Sequence, residues 1–587
     1  MGASAEIPPM PPLEHPASQS LCAPVPGGMR VPVGLWLSVL LLLVPALSGC
    51  RPEPRADFVI HNGPEVETID PQILTGQGDG RVAAALFEGL TRFDPRDGHA
   101  IPGLAESWDL SSDRRHYTFH LRTNLVWSTG QPITADDFVW SWNRAVLPET
   151  GADYAGFFFY VLHGQEWVTA TNRSHLPPLG IHASDRLTVE VDLENPTPFF
   201  PELCAMRVMS PVPRFWIERY GDQWIRTDPV PCSGAYQLQY WRPNDRIRMR
   251  KNPLYWDAAR VQLEVVDLLP GDSASTAVNL FLTGAVDFIA DKNSFPTELY
   301  DRLAGDRRFL RFPYLGNYFI RFNTTRPPFQ DPRVRRAIAL VIDKQRLVDR
   351  ITRLGETPAS GLVPPGVSGY SAPAGVGQNA LDAWKAGQNP ADRERAYAAA
   401  LETNAIQARE LLRQAGFPDG KGFPRFTYMF NAGGGGGGRM HEQIGVEMQS
   451  MLKDRLGLQM ELRPVEWKTY LSDMSRLNYD MIRGSWIGDY ADPTTFLDCF
   501  TSDNGNNRTG WRNATYDGWL ARAAATADGD ARRTLLRQAE SLLVSEEVPI
   551  IPLYYYNGMM AFDPAKFGGI DPTLTDEHPI WAIYRKR

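Results

Sequence analysis

The chain has 587 residues, of which 43% are hydrophobic and 22% charged, and it carries a net charge of -8. That length is too great for one hydrophobic core and predicts two or three domains, while the composition is that of an ordinary soluble globular protein. The negative balance, with no basic cluster to offset it, excludes a nucleic-acid footprint. The 16 Trp and 21 Tyr supply core filling first and ligand-stacking surfaces second.

The one long apolar run, residues 31–47, follows Arg30, is interrupted by Pro32 and Pro45, and leads into a small-residue stretch ending at Cys50. A run of about 17 residues with that ending reads as a secretory signal rather than a membrane span. The stretch Leu47-Ser-Gly-Cys50 resembles a bacterial lipobox, which implies that Cys50 is lipidated and opens the mature chain. The alternative is an ordinary signal peptide that happens to hold a cysteine there. Residues 1–28 contain no Lys or Arg, unlike a signal n-region, so Met29 is the better start. Residues 1–49 are accordingly set aside as extension and signal, and residues 50–57 are read as a tether. Of the remaining cysteines, Cys204 and Cys232 are the nearer pair and Cys499 stands apart. An exported setting permits a disulfide, and none of the three has metal-ligand spacing.

From Asp57 onward short strands alternate with helices, the pattern of an α/β protein. Residues 117–122, 187–191 and 246–250 alternate apolar and polar side chains and are expected as half-buried strands. Thr134 is a plausible N-cap for a helix entered through two aspartates. Asp331 followed by Pro332 is a strong helix start, because a proline loses nothing at the first helical position. Residues 362–377 are Pro/Gly-rich loop, residues 391–415 carry a long helical pattern, and Gly416 is its expected stop. Near the end, residues 549–556 read as a buried strand in which Pro552 suits only an edge or a bulge.

Two signals point the wrong way. Gly433 to Gly438 is a glycine run followed by Arg439-Met440-His441, without the Lys-Ser/Thr that a phosphate loop requires, so a pliant connection is expected. His441-Glu442 opens like a zinc-protease helix, but residue 445 is glycine where the second histidine belongs. There is no Gly-x-Ser-x-Gly elbow, no catalytic-looking cysteine and no conspicuous acid pair. The residues expected to matter lie at 483–497, where Asp489 follows Trp486 by three positions, with Arg483 nearby and glycines between. A carboxylate beside an indole on bendable backbone can seat a primary amine. It can equally cap the turn ahead of Asp492-Pro493.

Motifs along the whole chain bear on that choice. Leu86-Phe-Glu-Gly-Leu90, Pro102-Gly-Leu-Ala-Glu-Ser-Trp108, residues 127–142, Ser233-Gly-Ala-Tyr236, Pro253-Leu-Tyr-Trp256, Asp331-Pro-Arg-Val-Arg335, Glu466-Trp-Lys-Thr-Tyr470 and residues 483–497 occur in one order. Together they resemble the family-5 extracellular solute-binding proteins, over essentially all of residues 58–587. The resemblance implies an α/β fold of the type II periplasmic-binding-protein kind, with two lobes closing on a cleft and an extra subdomain on the first lobe. Lobe I would comprise residues 58–87, 210–314 and 556–587, the subdomain 88–209, and lobe II 315–555. It also implies a monomeric, periplasmic, lipid-anchored receptor without cofactor or enzymatic activity, which hands oligopeptides to the permease of an ABC importer.

The same resemblance suggests roles for single residues. Asp489 matches the acid that pairs with the ligand α-amine. Arg483, Ser485 and Ile487 match backbone and wall of the cleft, Trp486 and Trp467 match aromatic pocket walls, and Tyr154 matches a contact from the other lobe. Arg326, Arg439 and His441 are the cations expected near the peptide carboxylate. One departure stands out: the better-known members have an acid near Thr75, where this loop reads Leu74-Thr-Gly-Gln-Gly-Asp79. Ligand length, or a different ligand such as a dipeptide, murein peptide or metal chelate, stays open on that account, as does an exported hydrolase or chaperone-like lipoprotein.

Overall fold

Two strands carry the architecture. Phe309–Phe322 and Ile550–Phe562 are almost wholly buried and pair antiparallel from end to end. On the outer side of Phe309–Phe322 follow Met481–Ile487, Phe426–Asn431 and Met460–Val465. On the outer side of Ile550–Phe562 follow Phe288–Ile289, Phe58–His61, Val265–Leu269, Arg246–Lys251 and Tyr236–Arg242. The sheet is mixed, with parallel pairs at Phe58–His61 and at Phe426–Asn431 and antiparallel pairs elsewhere. The register of the central pair breaks between Pro313 and Asn317, where Arg311 faces Met559 on one side and Asn317 faces Tyr555 on the other. Pro552 stands opposite Phe319 at a second register shift, the bulge position at which a missing N–H costs no ladder bond.

The computed structural model describes residues 53–587 except 292, 293, 304 and 433–436. Met29, the signal segment and the lipidation cysteine Cys50 lie outside the described residues, as does most of the glycine run. Gly437 and Gly438 fall inside the helix Gly437–Leu456, so the connection expected over the whole run is shorter than the run itself. Cys204, Cys232 and Cys499 are all free and buried, so the permitted disulfide is not formed. No helix among the described residues is long and apolar enough to cross a membrane.

A separate four-stranded antiparallel sheet runs in the order Ala105–Leu110, His116–Leu121, Thr188–Asp192, Ile181–Asp185. Tyr117, Phe119 and Leu121 alternate inward and meet Val189 and Val191, the period-2 pattern of a sheet with one buried face. The helix Ala135–Ala145 covers that face, starting where the Asp137 carboxylate accepts the Thr134 N–H at 2.8 Å. Its Trp142 is fully buried and donates its indole N–H to the Met209 carbonyl at 2.9 Å. Helix Pro332–Val341 begins as the sequence indicates, with the Asp331 carboxylate accepting the Arg333 N–H at 2.8 Å. Helix Pro390–Gln414 ends just before Gly416, whose φ of +95° only glycine adopts without strain.

One buried acid organises the Pro/Gly-rich loop. Glu540 accepts the N–H groups of Leu362 and Val363 at 2.7 and 2.9 Å and the Tyr370 hydroxyl at 2.5 Å. Burial pushes its carboxyl up to about 7. Removing the carboxylate strands these donors in a desolvated site. Glu540→Ala should therefore lose about 3 kcal/mol of stability. The urea midpoint measures this, and an unchanged midpoint would contradict it.

Candidate functional site

Strand Met481–Ile487 is half open. One edge pairs with Phe309–Phe322 throughout, from Phe322 opposite Met481 to Gly316 opposite Ile487. The other edge pairs with Phe426–Asn431 only at Met481 and Ile482. From Arg483 onward it has no strand partner among the described residues. Alternate residues turn their backbone groups to the same edge. The Arg483 carbonyl accepts the Tyr470 hydroxyl at 2.8 Å, so the backbone groups of Ser485 and Ile487 face that open edge as well. Ile487 is also exposed in its side chain.

Asp489 follows directly. Its backbone N–H donates to Thr495 Oγ1 at 3.1 Å, while its carboxylate has no hydrogen-bond donor or cation among the described residues. The turn ahead of Pro493 is held by a different acid. Asp492 accepts the N–H and hydroxyl of Thr494 at 3.0 and 2.7 Å and forms a two-point ion pair with Arg532 at 2.7 and 2.8 Å. Asp489 is thus spared the capping task. Burial pushes its carboxyl up to about 6, with no opposing cation to bring it down. Opposite it stands Tyr154, whose phenol is raised by burial and then by the charge of Asp489. Tyr154 stacks on Phe157 at 5.5 Å. The next residue, Tyr490, faces away and stacks on Phe199 at 4.3 Å, with its hydroxyl 2.6 Å from that of Tyr160.

At the other end of the open edge lies Arg483. Its Nε donates to Asn431 Oδ1 at 2.8 Å and its Nη1 to Ser485 Oγ at 3.1 Å. Its guanidinium carbon lies 5.2 Å from the Tyr470 ring and 5.9 Å from that of Trp467. Trp467 and Tyr470 themselves stack at 5.4 Å, with Trp467 45% exposed. No carboxylate pairs with Arg483 among the described residues, so a half-buried cation is left to hydroxyls, an amide and ring faces. Trp486 packs against the neighbouring core, and its indole N–H is buried without an acceptor.

The three expected cations behave differently from Arg483. His441 is 5% exposed, and its Nδ1 lies 3.2 Å from the Tyr318 hydroxyl. Burial, and then the charge of Arg483, pushes it down to about 3. The imidazole is therefore neutral, which corrects the expectation of a cation there. Arg439 is exposed in the first turn of helix Gly437–Leu456. Arg326 is exposed beyond Phe322, at the end of the long strand away from Gly316 and hence away from Asp489. In the altered loop Thr75 is exposed, and the one acid there, Asp79, spends its carboxylate on the N–H groups of Glu67 and Gly76 at 2.8 and 3.2 Å.

Sequence reasoning missed Asn431, Tyr318 and Tyr470, which set the surroundings of Arg483. Only Tyr470 lies in a recognisable motif. For metals, one group of three possible ligands occurs among the described residues, Asp94, Asp97 and His99. It sits on a hairpin, with Asp94 already held by Arg96 at 2.6 Å.

The profile of "Bacterial extracellular solute-binding proteins, family 5 Middle" matches residues 99–508. The chain belongs to this family. The periplasmic oligopeptide-binding protein OppA of Salmonella typhimurium is 33% identical over 545 residues, covering 92% of this chain and 94% of OppA. The probable deoxycholate-binding periplasmic protein YgiS of Escherichia coli is 34% identical over 526 residues, covering 89% and 93%. Among solved structures, the Escherichia coli murein tripeptide binding protein MppA superposes with a TM-score of 0.71 at 31% identity, covering 90% of this chain and 98% of MppA. Family-5 members are solute-binding receptors, and the α/β architecture with its large mixed sheet is theirs.

The ionisation of Asp489 has a consequence for the ligand-free protein. An acid whose folded-state value is raised destabilises the fold when ionised. Stability is unaffected below about pH 4 and falls as pH rises from the unfolded value through about 6. The penalty at neutral pH is roughly 2–3 kcal/mol. Ligand-free Asp489→Asn should therefore melt higher than wild type at pH 7.5, with the gap closing by pH 4. Equal melting temperatures at pH 7.5 in a calorimetric scan would contradict the unpaired carboxylate.

Proposed function

We propose that this protein is an extracytoplasmic receptor that captures short peptides between its lobes and delivers them to the permease of an ABC importer. The observation that carries this reading is a pair of unmatched charges on one open strand edge, Asp489 at one end and Arg483 at the other. A zwitterionic peptide complements both. Its ammonium pairs with Asp489, its backbone lies along Ser485 and Ile487 as an added strand, and its carboxylate meets Arg483. Main-chain pairing of that kind gives affinity without reading side chains. Trp467 and Trp486 supply walls, and Tyr154 closes over the amine end. Arg483 takes the role expected of Arg326, Arg439 and His441, because it is the cation that is half-buried and unpaired beside the open edge.

The spacing bounds the ligand. Asp489 lies six positions beyond Arg483, and at about 3.3 Å per extended residue the ends lie roughly 20 Å apart. Allowing for the reach of the arginine, a ligand of roughly three to six residues fits. A steroid carboxylate such as the one in the name of YgiS has no amine to answer Asp489, so the unpaired acid favours a peptide.

Closure follows from the central strands. Lobe I (58–87, 210–314, 556–587) with its subdomain (88–209) pivots against lobe II (315–555) at the register break between Pro313 and Asn317. The contacts of Tyr490 with Tyr160 and Phe199 close the subdomain side. Lipidation of Cys50 would hold the receptor at the membrane surface.

Removing the acid leaves a desolvated ammonium unmatched, which costs about 3 kcal/mol or more. In calorimetry Asp489→Ala should bind tri- and tetrapeptides at least 100-fold more weakly than wild type, and wild-type affinity should fall as pH drops below about 6. Unchanged affinity in the variant would sink the amine site. Growth in a labelled fatty acid should label the wild-type chain but not Cys50→Ala, and equal labelling would contradict the anchor.

A further inference from the structure

The outward face of the four-stranded sheet carries chemistry that the peptide edge does not use. Its strands lie in the order Ala105–Leu110, His116–Leu121, Thr188–Asp192, Ile181–Asp185. On the third strand Glu190 stands opposite His182 of the fourth and Thr118 of the second. One pair further along the same face, His116 stands opposite Asp192. Three adjacent strands thus bring two imidazoles and two carboxylates to one patch, and all four side chains are partly open to solvent.

One contact in this patch does not close chemically. His116 Nδ1 lies 2.8 Å from Asp192 Oδ1, and a carboxylate only accepts, so Nδ1 carries the proton. In the neutral ring Nε2 is then a bare lone pair, yet it lies 3.5 Å from Glu190 Oε2. Two electron-rich atoms facing each other across that gap repel unless a positive species sits between them. His182 Nε2 reaches the same Glu190 oxygen from the other flank, at 2.9 Å. The neighbouring Arg115 donates to the Leu193 carbonyl at 3.1 Å, and neither it nor Arg186 pairs with these carboxylates among the described residues.

We propose that His116 Nε2, His182 Nε2 and Glu190 form a site for one divalent transition-metal ion of the zinc class, with Asp192 holding the His116 ring and water completing the coordination. Imidazole and carboxylate are donors that zinc takes, and an Nδ1–H given to a carboxylate is the contact that orients a metal-bound histidine. Ligands at about 2.0–2.1 Å from a tetrahedral zinc stand roughly 3.4 Å from one another. Glu190 Oε2 already has the two nitrogens at 3.5 and 2.9 Å. Bringing both nitrogens onto one ion takes a turn of His182, whose side chain is 53% exposed. The proton that His182 gives up at Nε2 moves to its own Nδ1, so the ring stays neutral. The trio Asp94, Asp97 and His99 is more tightly gathered, its donors within 4.8 Å of one another, but it has one imidazole and its Asp94 is spent on Arg96.

Calorimetric titration of ZnCl2 into the chelator-treated full chain at pH 7.5 tests the site, whatever the cleft holds. Wild type should take up one ion, and His182→Ala and Glu190→Gln should each bind it about tenfold more weakly or worse. His120→Ala, on the same face but paired with Asp109 at 2.8 Å, should bind as wild type, as should His99→Ala on the hairpin. Asp192→Ala should weaken uptake about tenfold, and Asp192→Asn, whose amide oxygen still accepts the Nδ1–H, should recover most of that loss. With CoCl2 in place of ZnCl2, wild type should gain the visible absorption of a four-coordinate ion, and His182→Ala should not. No uptake by wild type, undiminished uptake by His182→Ala and Glu190→Gln, or a loss confined to His99→Ala would overturn the assignment. Should one of the two ligand variants not fold, the other decides alone.

Discussion

The structure hangs on the pairing of Phe309–Phe322 with Ile550–Phe562. Both strands are buried on both faces and run through the middle of one sheet whose two halves belong to different cores. A sheet continuous through the molecule fixes where Met481–Ile487 lies, because that strand takes its register from Phe309–Phe322. The wider of the two register shifts in this pair, between Pro313 and Asn317, interrupts the ladder of the rail. The open edge and Arg483 stand on the strand that pairs with residues 316–322, beyond the break, and Asp489 follows that strand directly.

Electrostatics then divides the acids and bases into those that are finished and those that are not. Asp492 is matched by Arg532, Glu577 by Arg207, and Glu540 by backbone donors. Each of these shapes the protein. Asp489 is desolvated without a donor or cation, and Arg483 is held by an amide, a hydroxyl and ring faces but by no carboxylate among the described residues, a condition that costs stability.

Local structure was legible in the sequence wherever a residue's role is set by its chain neighbours. The alternation at 117–122 and 246–250 became His116–Leu121 and Arg246–Lys251, and the Asp331-Pro332 start and Gly416 stop bracket real helices. For Pro552 the sequence left an edge or a bulge, and its place opposite Phe319 at a register shift of a central strand selects the bulge. What remained hidden depends on elements far apart in sequence. Arg483 is enclosed by Tyr318, Asn431 and Tyr470, which come from three other elements. The same crowding neutralises His441, which its isolated motif presents as a candidate cation. Sequence could bring Asp489 no further than a choice between capping and binding. The capping by Asp492 removes the first alternative, and only the three-dimensional contacts reveal it.

The central claim is that Asp489 is held unpaired in order to receive a ligand ammonium. Comparing one tetrapeptide with its N-acetylated twin in calorimetry at pH 7.5 tests it most directly, since acetylation removes the charge and little else. At least a hundredfold weaker binding of the acetylated peptide is predicted. Equal affinity for the two would show that the amine is not what the cleft holds.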